Sequence, residues 1–196
     1  MSVFRLGLTG SIGMGKSTTA AFFREAGVPV WDADAAVHRL YAPGGAAADP
    51  LGKICPAAVS DQGIDRAALR DWIAADATAL PQIEAIVHPL VAVDRQAFAD
   101  EIVSDIAVFD IPLLFEKGTE AEMDATLLVT APAALQRARV LARPGMTQGQ
   151  FDLIRARQMP DAEKRAKADH IVETLSLDQT RAYVLALIDY LRKNHA

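Results

Sequence analysis

Apolar residues fall along this chain in two textures, short unbroken runs and longer stretches with a recurring stripe. The run at 3–8 closes on Thr9-Gly10, which fits a buried strand bounded by a turn. Positions 17–26 then carry helix-compatible residues, with Ala20, Ala21, Phe22 and Phe23 available to face a sheet and Gly27 where a C-terminal cap belongs. Val28, Pro29, Val30 and Trp31 form a second short strand that ends in Asp32-Ala33-Asp34. One strand-helix-strand unit therefore occupies about thirty residues, the length such a unit needs.

The stretch 43–56 mixes Gly, Pro and Ala without period and reads as a loop with one short helical piece. Helices resume after it. Asp65 is placed to cap a helix over 66–74, and 79–103 carries a stripe through Ile83, Ile86, Val87, Leu90 and Val91. Pro89 lies inside that stripe and removes a backbone donor, which predicts a kink or a split near His88. Runs at 106–110 and 125–130 are further strands, and Pro132 opens a helix to about 143 that Pro144-Gly145 stops. The polar segment 147–167 predicts two helices around Pro160 without a broad apolar stripe, hence a flap away from the core. A last strand at 169–173 and an amphipathic helix at 177–191 close the pattern, with no internal repeat.

Alternating strands and helices predict a three-layer α/β domain with a parallel, five-stranded sheet. Its core would be 1–59, 105–140 and 168–196, with a helical insert at 60–104 and a lid at 141–167.

Composition narrows the class. Hydrophobic residues make up 51% and charged ones 23%, which excludes a disordered or fibrous chain. Twenty Lys+Arg against 25 Asp+Glu leave a net charge of -5, which argues against a general nucleic-acid binder. Cys55 stands alone and forms no internal disulfide, as suits a reducing compartment. The longest apolar run, 106–115, is broken by Asp110 and falls short of the ~18 residues that span a bilayer. No signal-peptide core is present, so the expectation is a cytoplasmic protein acting on small molecules, without nucleic acid or membrane, as a monomer or small homo-oligomer.

The strongest motif is Gly10-Ser11-Ile12-Gly13-Met14-Gly15-Lys16-Ser17, which matches G-x-x-x-x-G-K-S/T between a predicted strand and a predicted helix. Its glycines let successive N–H groups of Gly13, Met14 and Gly15 turn into one cavity, and the helix behind adds about half a positive charge. Lys16 reaches β- and γ-phosphates as a point charge, Ser17 is placed to ligate Mg²⁺, and Thr18 extends the polar rim. The motif says nucleotide, not reaction.

Other residues point to transfer. Asp32 ends the second strand, where open α/β sheets place ligands, and reads either as a proton acceptor or, with Asp34, as a helix cap. Asp110 ends an apolar strand and reads as an acid that holds Mg²⁺ through water, or as a cap of the turn at Pro112. Arg139 and Arg143 lie four apart on one helix face and suit charge neutralisation over a phosphate. Arg165 and Lys167 read as a solvated face. His88 by itself reads as a core or capping histidine, and Trp31, Phe22, Phe23 and Trp72 as packing residues.

Taken together, the loop from Leu8 to Thr18, Asp32-Ala33-Asp34 with His38, His88-Pro89, Asp110-Ile111-Pro112-Leu113-Leu114-Phe115-Glu116, the Arg139 to Arg143 helix, Gln158 and Ala168-Asp169 resemble the dephospho-coenzyme A kinase family, in the family's order over nearly the whole chain. The resemblance implies ATP-dependent phosphorylation of the ribose 3′-hydroxyl of dephospho-coenzyme A, with ATP and Mg²⁺ required. It makes Asp32 the base or the acceptor-orienting residue, Lys16 and Arg139 the charge stabilisers, Ser17 the Mg²⁺ ligand, and Arg143 part of the nucleotide site where the lid begins. His88, Leu113 and Leu114 would lie on the acceptor side, although the leucines also read as core. Where that family commonly carries Asn and Gly after the last strand, this chain has Thr174 and Leu175, which leaves base reading to backbone atoms. Two other readings stay open: a P-loop kinase for a nucleoside monophosphate or a sugar, and a nucleotide-dependent switch, against which no guanine-reading Asn/Thr-Lys-x-Asp segment is seen.

Overall fold

A computed structural model of the chain describes residues 3–195, apart from the side chain of residue 195. In chain order the elements are β1 (Phe4–Thr9), α1 (Lys16–Glu25), β2 (Val30–Asp32), α2 (Ala33–Tyr41), α3 (Ala48–Ile54), β3 (Val59–Ser60), β4 (Gly63–Ile64), α4 (Arg66–Ala75) and α5 (Ala79–Glu101). They continue through β5 (Ile106–Asp110), β6 (Ala125–Thr130), α6 (Ala133–Leu141), α7 (Gln148–Ala156), α8 (Asp161–Lys167), β7 (His170–Glu173) and α9 (Leu177–His195). Two compact units result, one from the chain up to Trp31 and from Ile102 onward, the other Asp32–Glu101.

The first unit holds a five-stranded sheet in the order β2-β5-β1-β6-β7. β1 runs parallel to β5 on one side and β6 on the other, Leu6 standing opposite Val108 and Ala125, and β6 runs parallel to β7. Every residue of β5 is buried, as an unbroken apolar run requires when helices cover both faces of a parallel sheet. One face packs Leu6, Leu8, Val108 and Leu127 against Phe23 of α1 and Leu187 and Leu191 of α9. Trp31 and Phe109 pack at 6.2 Å between ring centroids, the packing role expected of Trp31.

The second unit is helical, with a core of Leu40, Leu51, Leu69, Ile83 and Val87. It begins at Asp32 rather than at residue 60, because α2 and α3 pack on α5 and share that core. The two-residue strands β3 and β4 pair antiparallel here, Val59 opposite Ile64; they are too short to leave a periodic signal. Asp65 caps α4 as expected, accepting from the Ala67 and Ala68 amides at 2.7 and 3.4 Å. The expected split at Pro89 does not occur. α5 continues through it for 23 residues, since losing one backbone donor is outweighed by the buried stripe on either side of it. Among the described residues no helix is long and apolar enough to cross a membrane.

Candidate phosphate-binding site

The segment between β1 and α1 turns through Gly13 (φ 76°) and Gly15 (φ 95°), both in the left-handed region that side chains disfavour. Space is equally short. A Cβ on Gly13 would overlap the Val140 side chain and lie 3.1 Å from the Gln136 carbonyl, and one on Gly15 would meet the Thr174 hydroxyl at 3.0 Å. Gly13→Ala is therefore expected to distort the turn and to cost about 2 kcal/mol of stability, which a melting curve checks.

Gly15 stands at the start of α1 without any side-chain cap, so the first-turn amides of the helix are left for an anion. Ser17 and Thr18 are exposed in that turn. The Lys16 ammonium is ion-paired with Asp110 Oδ1, and Asp110 is only 3% exposed. A buried carboxylate thus anchors the lysine from behind, while an ammonium has three donors and keeps others for a phosphate.

Four of the expected nucleotide-site residues, Gly13, Gly15, Thr18 and Arg143, line one cavity of about 340 Å³ together with Arg139, expected as a charge stabiliser, and Thr174. Arg143 reaches it from the turn after α6, since the helix stops at Leu141 rather than near 143. Arg139 is held by Thr174, donating Nη1 to its hydroxyl at 2.8 Å and Nη2 to its carbonyl at 2.6 Å. The same hydroxyl donates to the Met14 carbonyl at 2.7 Å. Thr174 therefore joins the phosphate loop to the arginine, a role that reading the sequence missed although the position had been marked as a departure. Met14 is pinned from another side by the Ala131 amide, which donates to its sulfur at 3.0 Å.

Asp32 accepts the Ala35 N–H at 3.0 Å and so caps α2. His88 is over half exposed on α5, 3.9 Å from Glu84 one turn earlier, so it is neither core nor cap. Leu113 is half-buried, but Leu114 is completely buried over Gly7 of β1 and so does not line an acceptor pocket; it is a core residue. Among the described residues no group of three or more His, Cys, Asp or Glu is placed to hold a metal ion.

The segment 141–167, expected to hang free, belongs to the same compact unit as the sheet. Phe151 is buried, and Lys164 of α8 is fully buried and paired with Glu116 at 2.8 Å. Arg165 and Lys167 stay on the surface, 37% and 47% exposed, as expected of a solvated face, and both are ion-paired there. Arg165 bridges Glu173 and Asp161, both at 2.7 Å, and these carboxylates, Glu173 first, raise its pKa above the ordinary arginine value, while Lys167 meets Glu120 at 3.0 Å. The Lys167–Glu120 and Lys164–Glu116 pairings join residues 47 and 48 positions apart and leave no mark on hydrophobic periodicity.

The family model of dephospho-CoA kinase matches residues 4–178. The chain is 68% identical over 193 residues to the dephospho-CoA kinase of Cereibacter sphaeroides, covering 98% of each, and 56% identical over 189 residues to that of Ruegeria pomeroyi, covering 96% of each. Among solved structures it is similar to a Thermus thermophilus protein with a TM-score of 0.86 at 34% identity, each chain fully covered. A dephospho-CoA kinase from Campylobacter jejuni shares the fold, with a TM-score of 0.67 at 21% identity over 97% of this chain and 98% of that one.

Proposed function

This chain belongs to the dephospho-CoA kinase family, and we propose that it transfers the γ-phosphoryl group of ATP to the ribose 3′-hydroxyl of dephospho-CoA, releasing CoA and ADP. The observation that carries the reading is the left-handed glycine turn that leads into an uncapped helix, with Lys16 held at its start by Asp110. That arrangement suits a triphosphate tail, and phosphoryl transfer asks mainly for positioning and for positive charge around the transferring group.

Lys16 and the first-turn amides of α1 bind the β- and γ-phosphates. Arg139 and Arg143, lining the adjoining cavity, neutralise charge on the donor. Asp32 accepts the proton of the attacking hydroxyl, and His88 and Leu113 lie on the acceptor side. For Mg²⁺ the donor set fits: a hydroxyl at Ser17 and a carboxylate at Asp110 are hard oxygen ligands, and this cation is usually held by one or two protein groups with substrate phosphates supplying the rest. When bound, it offsets charge on the phosphate oxygens. The setting we infer is cytoplasmic, with small molecules as the only substrates.

Coupled ADP release tests the reading. ATP hydrolysis without acceptor should be slow, and adding dephospho-CoA should raise ADP formation by two orders of magnitude or more. ADP release that responds to a nucleoside monophosphate or a sugar but not to dephospho-CoA would assign another acceptor.

A further inference from the structure

The crest of the phosphate loop is gripped from outside by two glutamines. The Ile12 N–H donates to Gln158 Oε1 at 3.1 Å, and the Ile12 carbonyl accepts from Gln136 Nε2 at 2.8 Å. Gln136 is a buried residue of α6, and Gln158 lies in the link between α7 and α8. Each bond orients one peptide plane. In a trans peptide the carbonyl of one residue and the N–H of the next point in opposite directions, so tying the Ile12 carbonyl to Gln136 turns the Gly13 N–H away from α6. Tying the Ile12 N–H to Gln158 fixes the preceding plane in the same way.

Gln158 is itself held. The amide of its neighbour Met159 donates to Glu116 Oε1 at 2.9 Å, the oxygen that also pairs with the buried Lys164 ammonium. Glu116 follows Asp110, the anchor of Lys16, by six residues in the same segment. The Glu116 contacts thus hold the link that carries Gln158.

We propose that Gln158, with Gln136 opposite, is a positioning residue that keeps the phosphate loop converged before the donor arrives; this rests on the reading of that loop as the donor's phosphate site. An unbraced loop must be ordered by the ligand, and that ordering cost weakens every ligand that uses the loop by a similar factor.

The test uses the full chain with Gln158→Met and Gln136→Met, measuring binding of inorganic pyrophosphate and of ATP by calorimetry, then steady-state kinetics and melting temperature. The expected result is an approximately tenfold loss of affinity for pyrophosphate and ATP alike. KM for ATP should rise in step, kcat should stay within about threefold, and KM for dephospho-CoA should be unchanged. A purely structural role would lower the melting temperature without this split. Gln158→Asn, too short to reach the Ile12 amide, replaces any variant that fails to fold. Unchanged pyrophosphate affinity in the variants overturns the proposal, as does a loss confined to ATP. Failure of the wild-type chain to bind pyrophosphate and ATP at all would instead overturn the donor-site reading, and the clamp with it.

Discussion

Lys16→Met should lower kcat by about three orders of magnitude, because on the proposed mechanism the charge facing the transferring phosphoryl group is lost. The sequence alone places this lysine in a loop and suggests that its removal leaves the fold untouched. The structure adds a second effect. Asp110, 3% exposed, would lose the ammonium that compensates its charge, and breaking a buried pair by removing one partner costs about 3 kcal/mol. A fall in melting temperature of roughly 10 °C should accompany the loss of turnover. The double substitution Lys16→Met, Asp110→Asn separates the two effects: stability should recover in large part while activity stays absent. A single variant that melts like the wild type would mean that the pair contributes nothing to stability, and one that turns over normally would remove Lys16 from phosphate binding.

Asp32→Asn should lower kcat by about 10³ and leave KM for ATP unchanged, since a general base typically contributes about 10²–10⁴ and does not bind the donor. This substitution is unusually clean. Asp32 caps α2 through the Ala35 amide, and Asn is as good an N-cap as Asp, so the helix keeps its hydrogen bond and the melting temperature should move by less than about 2 °C. Asp32→Ala removes both functions and should cost about 1 kcal/mol of stability in addition. Asp32→Asn at wild-type kcat would reduce this residue to its capping role.

The contrast between these two residues shows what was legible in the chain. Strands β1, β5 and β6 announce themselves because a parallel strand covered on both faces is apolar at nearly every position, a local property. The glycine turn is legible for the same kind of reason: its glycines answer to backbone angles within a few residues of each other. The Asp65 cap was readable from three adjacent positions. Leu114 was not, because an apolar residue after a strand reads alike whether it faces a pocket or, as here, packs over Gly7. Of the two outcomes Pro89 allows, a split is ruled out by the core into which Ile83 and Val87 are buried, which the one missing donor does not reveal.

By itself, then, the sequence determined the five strands of the parallel sheet, the glycine turn that follows the first of them and the family, all of which depend on short-range pattern or on residues in fixed order. Only the tertiary structure decided which charges are buried in pairs, Lys16 with Asp110 and Lys164 with Glu116, and which side chains hold the loop from outside, Thr174, Gln136 and Gln158. These contacts join residues from 94 to 160 positions apart, with Lys164 and Glu116 the exception at 48. The physical reason is that hydrogen bonds and ion pairs act over a few ångströms, and partners that distant in sequence meet only once the sheet has brought its strand ends together.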